Sequence, residues 1–104
     1  MKPEIRQFLL ELGLINAEIS VYLATLELGS GSASNIAKVA SLNRITAYEA
    51  LKRLSSKGFM KIRAKENDRT KYFVPTEYSD IVAKLKLKQQ RIAETIKKAE
   101  LFKN

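Results

Sequence analysis

The spacing of apolar positions changes along the chain and divides it into predicted elements. Up to residue 58 apolar residues recur every three or four positions, which predicts helices. Between residues 59 and 75 they alternate with polar residues, which predicts two short strands around a polar turn. From about residue 77 to residue 102 the helical spacing returns, without glycine or proline. The pattern predicts a mainly helical fold with one small β-hairpin and a long last helix.

Residues 32–58 contain two helical patterns joined by the short connection Ser41-Leu42. Ser32 is a good N-cap for the first helix, Asn43 for the second, and Gly58 is a C-terminal stop. This layout is typical of a helix-turn-helix, whose second helix enters the DNA major groove. An ordinary αα-hairpin produces the same pattern, and this stretch alone does not separate the two interpretations.

The predicted hairpin directly follows this motif, as the wing of a winged helix does. Residues 59–64 and 70–74 are the two β-rich runs, and residues 65–69 form the charged tip. Four cations flank the tip, namely Lys61, Arg63, Arg69 and Lys71. They favour a wing that touches DNA over a purely structural hairpin.

The regions on either side of this motif have different predicted roles. Before it, a helix from Pro3 to Gly13 and a second helix capped by Asn16 are apolar, and we interpret them as scaffold. After it, Thr76 is the predicted N-cap of the last helix. We therefore expect a winged helix-turn-helix domain over residues 1–75 and a dimerisation helix over residues 76–104.

The last helix carries a heptad seam, which is typical of a coiled coil. Three heptads run roughly 33 Å at 1.5 Å per residue, and a helix of that length outreaches so small a domain. We expect homodimerisation, with folding back onto its own domain as the alternative. The predicted interface residues are Tyr78, Val82, Leu85, Gln89, Ile92, Ile96 and Ala99.

Composition narrows the classes of function. The 104 residues contain no cysteine and no histidine, so disulfides, thiolate metal sites and the commonest general base are all missing. The chain has no paired carboxylates or activated nucleophile that would predict an enzyme, and no cofactor is expected. It has no membrane-length apolar run or signal peptide, which predicts a soluble, cytoplasmic protein without a membrane partner.

The net charge of +8 is concentrated where DNA contact is expected. Residues 41–75 carry nine Lys or Arg and three Asp or Glu. Residues 1–40 carry only three Lys or Arg and four Asp or Glu. A basic segment of this kind is the electrostatic footprint of a nucleic-acid-binding surface.

Several short motifs occur in a fixed order along the chain, and together they resemble the winged-helix DNA-binding domain of archaeal TrmB-like transcription regulators. The resemblance covers about residues 9–75 and the helix that follows. The motifs are Leu12-Gly13-Leu14, Ala17-Glu18, Tyr22-Leu23-Ala24, Leu26-Glu27-Leu28-Gly29, Ala33-Ser34-Asn35-Ile36-Ala37-Lys38, Arg44, Tyr48-Glu49-Ala50-Leu51-Lys52-Arg53-Leu54 and Lys57-Gly58-Phe59.

Two positions depart from the family pattern. Ser41 stands where the family usually has a turn glycine, so a left-handed conformation is expected there. Asn43 replaces the proline that often opens the second helix. Larger family members carry a sugar-recognising effector domain after the long helix; this sequence ends there, and we carry over no sugar sensing and no small-molecule effector.

The residues expected to contact DNA fall into three groups. Arg44, Ile45, Thr46 and Tyr48 are the base-reading candidates, because they begin the recognition helix. For Tyr48 the alternative to reading a base is packing against the wing. Glu49 either accepts a hydrogen bond from cytosine N4 or pairs with Lys52 or Arg53 on the same helix. The phosphate candidates are Lys52 and Arg53 on that helix, Ser34, Asn35 and Lys38 on the preceding one, and Lys61, Arg63, Lys65, Arg69 and Lys71 on the wing.

The sequence thus predicts a dimeric, sequence-specific regulator that binds double-stranded DNA. A winged helix used only for protein–protein contact is the main alternative, and the basic motif argues against it. A non-specific, chromatin-like DNA-binding protein differs in its ratio of specific to non-specific affinity, which sequence does not reveal.

Overall fold

The computed structural model describes residues 3–64 and 70–103 of the chain. It confirms the predicted class, a mainly helical winged helix-turn-helix with a small antiparallel sheet. The described helices are α1 (Pro3–Glu11), α2 (Asn16–Leu28), α3 (Ala33–Ala40), α4 (Arg44–Lys57) and α5 (Tyr78–Glu100). The described strands are β1 (Gly31–Ser32), β2 (Met60–Ala64) and β3 (Lys71–Pro75).

Helix α2 lies at the centre of the hydrophobic core. Ile19 and Val21 are fully buried there, and α2 packs against both α3 and α4. Ile36 of α3, Leu51 of α4 and Phe73 of β3 belong to the same core cluster. Each buried side chain of this size stabilises the fold by about 1.5–3 kcal/mol, so α3 and α4 are held against a common support.

The helix-turn-helix has the end caps that the sequence predicts. The Ser32 hydroxyl accepts from the N–H of Asn35 at 3.2 Å, and the Asn43 side chain accepts from the N–H of Thr46 at 2.7 Å. Gly58 ends α4 in the left-handed region, with φ 88°. These local bonds fix where α4 begins and ends.

The turn between α3 and α4 places Ser41 in the left-handed conformation, with φ 58° and ψ 41°. The N–H of the next residue, Leu42, donates to the Ala37 carbonyl at 2.9 Å, which is the Schellman arrangement. A left-handed conformation is unfavourable for residues that carry a Cβ, so the turn holds some strain.

We therefore expect Ser41→Gly to stabilise the protein by about 0.5–1 kcal/mol, since glycine removes the steric penalty and offsets its own entropy cost. Ser56→Gly, an exposed position within α4, serves as the control and should destabilise by about 0.5 kcal/mol. Thermal or urea unfolding measures both changes. A lower stability for Ser41→Gly would contradict the strain argument.

The sheet has three strands in the order β1-β3-β2, one more than the sequence predicts. Strand β1 pairs with β3 through Gly31↔Phe73 and Ser32↔Tyr72. A two-residue strand has no alternation to detect, and its pairing partner lies about forty residues away in the sequence. Strand β3 ends at Pro75, one residue beyond the predicted run. The extra strand joins the base of the wing to the start of α3.

Two predicted caps are wrong. Asn16 is the first residue of α2 rather than its N-cap, and its side-chain oxygen accepts from Arg6 at 2.8 Å. Thr76 is buried, and α5 begins at Tyr78 with Glu77 as its N-cap. The helices themselves form where the sequence predicts them, so the errors concern only which residue satisfies the helix ends.

Among the described residues, helix α5 joins the hydrophobic core near its beginning. Ile81 is buried in the core, and Leu85 packs partly against it. Residues 86–103 are all exposed. Because the core includes the first two turns of α5, the remaining turns project from the winged domain as an uncovered helix.

Candidate nucleic-acid interface

The N-terminus of α4 presents two neighbouring exposed side chains. Ile45 is 76% exposed, which is unusual for a large apolar residue in a protein of this size. Arg44 beside it donates through Nε to the Ser34 hydroxyl on α3 at 3.1 Å. This bond orients the guanidinium while its terminal nitrogens stay available, so α3 supports the side chain expected to read bases.

A groove of about 550 Å³ lies between this end of α4 and the wing. Arg44 and Ser34 form one side, and Lys71 of β3 forms the other. Tyr48 lies between them with its ring edge-on to Phe73, at 6.3 Å between centroids. The remaining lining residues are Ser32, Ala33, Thr70 and Phe73. We call this space the wing groove; it is a basic-walled depression beside the recognition helix.

Tyr48 packs against the wing, which is the alternative to its predicted contact with a base. Lys52, one turn further along α4, places its ammonium 5.2 Å from the centre of the Tyr48 ring. Lys52 also pairs with Glu49 at 3.4 Å, so Glu49 has the cation partner that its sequence neighbours suggest. These contacts form a polar surface on the outer side of α4, next to the wing groove.

The wing cations lie on different faces of the sheet. The register pairs Ala64 with Lys71 and Ile62 with the buried Phe73, so Lys71 shares the inner face. Lys61 and Arg63 alternate onto the outer face, where Lys61 approaches Asp80 of α5 at 3.9 Å. Of the wing cations in the described part of the chain, Lys71 is therefore the one that lines the wing groove with Arg44. The predicted positions Lys65 and Arg69 lie outside the described residues.

The other predicted contacts of the motif lie near the same surface. Asn35 and Lys38 are exposed on α3, and Asn35 uses its backbone N–H for the Ser32 cap. Thr46 is half-buried, and its backbone N–H is held by Asn43. The two caps thus hold the backbone from which the side chains of Asn35 and Thr46 extend.

Arg53, a predicted contact for DNA phosphates, has a partner within the protein. Its Nε donates to Glu18 Oε2 at 3.1 Å, and Lys57 Nζ donates to both Glu18 oxygens at 2.9 and 3.1 Å. The Glu18 Oε1 also accepts from the backbone N–H of Ile15 at 3.0 Å. Glu18 is fully buried at 0% exposure. This Glu18 cluster (Glu18, Arg53 and Lys57) ties α2 to the last two turns of α4.

The hydrogen bonds of the cluster keep the carboxylate ionised. Burial raises the pKa of the Glu18 carboxyl, but the hydrogen bonds from Ile15, Lys57 and Arg53 outweigh it and hold that pKa below its ordinary value of 4.5. Sequence reasoning missed this cluster. Glu18 stands third in α2, where a glutamate commonly caps the preceding N–H, but the meeting with α4 has no local signal.

The predicted dimer seam is uncovered beyond its first residues. Val82 is half-buried, and Leu85 contacts the protomer's own core. Ile92 and Ile96 are 51% and 54% exposed, and Gln89 and Ala99 are also exposed. The Tyr78 side chain lies outside the described residues. Ile81, which the seam omitted, is the residue that anchors α5 to the core.

The described residues contain neither a group of acidic side chains suited to a metal ion nor a helix that is long and apolar enough to cross a membrane.

Taken together, the helix-turn-helix and the wing define a winged helix-turn-helix domain. Residues 9–81 match the model of the family described as "Sugar-specific transcriptional regulator TrmB". The chain belongs to the TrmB family. No protein of curated function matches the sequence.

Solved structures show the same fold. TrmBL2, an archaeal chromatin protein with a novel mode of DNA binding, is similar with a TM-score of 0.81 and 22% identity, over 96% of this chain and 38% of that one. YusO from Bacillus subtilis is similar with a TM-score of 0.62 and 21% identity, over 95% of this chain and 79% of YusO. A MarR family transcriptional regulator from Silicibacter pomeroyi is similar with a TM-score of 0.60 and 19% identity, over 97% of this chain and 65% of that one. The chain spans well under half the length of TrmBL2.

Proposed function

We propose that this protein is a dimeric regulator that binds double-stranded DNA sequence-specifically through the start of α4. The observation that carries the proposal is the exposed pair Arg44 and Ile45 at the N-terminus of α4, beside the basic wing groove. Residues at this end of a recognition helix reach base edges in the major groove. An exposed isoleucine contributes nothing to the core, but it suits contact with a thymine methyl group.

The surrounding cations are suited to position the helix rather than to read sequence. Lys71 faces Arg44 across the wing groove, and Lys38 and Lys52 lie on exposed parts of α3 and α4. Phosphate contacts of this kind set register and orientation. Arg53 is the exception, because its charge is paired with the buried carboxylate of Glu18; we assign it to the support of α4.

Dimerisation through α5 completes the proposal. The exposed Ile92 and Ile96 lie on the predicted seam of a helix whose last turns are exposed. The seam of a second copy would bury both side chains, with Gln89 as the polar position that fixes the register of the two helices. Two recognition helices held by one dimer would then read two half-sites.

A non-specific, architectural DNA-binding protein is the second candidate, favoured by the similarity to a chromatin protein. Selection of bound sequences from a random duplex pool distinguishes the two. We expect an enriched motif with two related half-sites. A pool that binds without enrichment would support the architectural function, and a pool that does not bind would support a protein-interaction module.

We expect Arg44→Ala to relax the preference for one base pair in each half-site, because a guanidinium that bridges guanine O6 and N7 provides about 1–3 kcal/mol of discrimination. Lys52→Ala serves as the control and should weaken all duplexes by a similar factor. Competition binding against a panel of single-base variants measures both. An equal loss across the panel for Arg44→Ala would make Arg44 a phosphate contact instead.

A further inference from the structure

Helix α5 carries a second basic surface, separate from the wing groove. Between residues 84 and 98 it has six Lys or Arg and a single acidic residue, Glu94. Lys84, Arg91 and Lys98 recur every seven residues, and Lys88 lies between them on the same side. At 3.6 residues per turn these four side chains fall within about 80° of the helix circumference. We call this set the α5 stripe.

The folding of the protein accounts for only part of the stripe, since Lys84 binds the Gly58 carbonyl and Lys98 lies in the last turn of α5, where a cation is favoured. All four side chains are exposed. Like charges three or four residues apart, such as Lys84 with Lys88, destabilise a helix by a few tenths of a kcal/mol. An anionic partner outside the protomer would turn this repulsion into attraction, and a solvated surface would not require the charges to share one face.

The α5 stripe also differs in position from the predicted dimer seam. With Val82, Gln89 and Ile96 at the a positions, Lys84, Arg91 and Lys98 occupy c positions, which face solvent in a two-stranded coiled coil. Lys88 occupies a g position at the edge of the seam, where a lysine keeps its charged end in water. The α5 stripe and the seam could thus be used at the same time.

The α5 stripe begins at the end of the recognition helix that is far from the bases. Lys84 Nζ donates to the carbonyl of Gly58, the C-cap of α4, at 3.3 Å. Arg44 stands at the other end of this 14-residue helix, about 21 Å away at 1.5 Å per residue. From Lys84 the stripe continues along the projecting part of α5 in a molecule whose longest dimension is 59 Å.

We propose that the α5 stripe binds the phosphates of a second DNA segment, so that the protein holds two duplexes together. Its length from Lys84 to Lys98 is about 21 Å, which spans roughly a dozen phosphate charges of a duplex at one per 1.7 Å. The charged ends of lysine and arginine suit the phosphates of a duplex, which position a protein without reading sequence. The inference rests on the proposed DNA binding by α4, to which it adds a second, sequence-independent contact.

The test uses two duplexes with different fluorescent labels and the full chain. Energy transfer between the labels reports a complex that contains both, and anisotropy at low protein concentration reports the first duplex alone. Arg91→Gln/Lys98→Gln is the stripe variant. Lys86→Gln/Lys97→Gln removes the same charge from other faces of α5 and is the matched control. Light scattering on each variant verifies its oligomeric state.

We expect the stripe variant to weaken capture of the second duplex more than about tenfold at 0.1 M salt, as the loss of two phosphate contacts implies. The affinity of the stripe variant for the first duplex should change less than twofold. The control variant should bind the first duplex and capture the second as the unmodified protein does. Equal losses for the two variants, or no transfer for the unmodified protein despite tight binding of one duplex, would overturn the inference. If the stripe variant binds the first duplex as weakly as it captures the second, the stripe contacts the same duplex as α4, which would also overturn the inference. Failure of the unmodified protein to bind any duplex would instead overturn the proposed function.

Discussion

Ile92→Gln/Ile96→Gln is expected to convert the protein to a monomer and to lower its affinity for a two-half-site duplex about a hundredfold, because the avidity of two linked domains is lost. Both side chains are half-exposed in the protomer, so their replacement should leave the winged domain folded. Leu85 is unsuitable for this purpose, since it contacts the protomer's own core. Light scattering gives the mass, and duplex titration gives the affinity.

Leu87→Gln is the matched control for this prediction. Leu87 is an exposed leucine on the same helix, but it lies at an f position, away from the seam. The Leu87→Gln variant should remain dimeric and bind the two-half-site duplex with unchanged affinity. If Ile92→Gln/Ile96→Gln also remains dimeric, the interface is elsewhere, and the exposed Ile5 and Phe8 of α1 become the next surface to test.

Glu18→Gln is expected to destabilise the fold by about 2–3 kcal/mol. Loss of one partner from a buried ion pair commonly costs 3–5 kcal/mol. The cost here is smaller because Arg53 and Lys57, 43% and 41% exposed, can turn towards water. Glu27→Gln, an exposed glutamate on the same helix, should change stability by less than about 0.5 kcal/mol. Urea unfolding compares the two, and equal small changes would show that the cluster contributes little.

The same carboxylate gives stability a defined dependence on pH. The pKa of Glu18 is lowered in the folded state, below the ordinary value of 4.5. Its contribution is therefore fully present above pH 4.5 and is lost as the pH falls through the folded-state pKa. The stability difference between the unmodified protein and Glu18→Gln should shrink over that acidic range and stay constant near neutrality. A difference that grows on acidification would contradict the assigned direction.

Much of the interface could be predicted from sequence because it is determined by local bonds. The caps Ser32 and Asn43 lie three residues from the N–H groups they bind, and Gly58 ends α4 at its own position. The alternation that predicts the wing is equally local. These short-range constraints fix both ends of α4, and with them the exposed position of Arg44.

The roles of individual cations could not be predicted in the same way. Arg53 and Lys57 meet Glu18 across 35 and 39 residues of sequence, and only the packing of α2 on α4 brings them together. A basic residue on a helix carries no local signal that tells a phosphate contact from a support. The same holds in the wing, where the register of β2 on β3 separates Lys71 from Lys61 and Arg63.

The sequence by itself determined the fold class, the bounds of α4 and the periodic faces of α5, because spacing and end caps act over a few residues. The tertiary structure decided which of those faces is buried. It buried Ile81 and part of Leu85 against the core, left Ile92 and Ile96 uncovered, and added β1 to the sheet. These outcomes depend on contacts between elements far apart in the chain, whose geometry no single segment encodes.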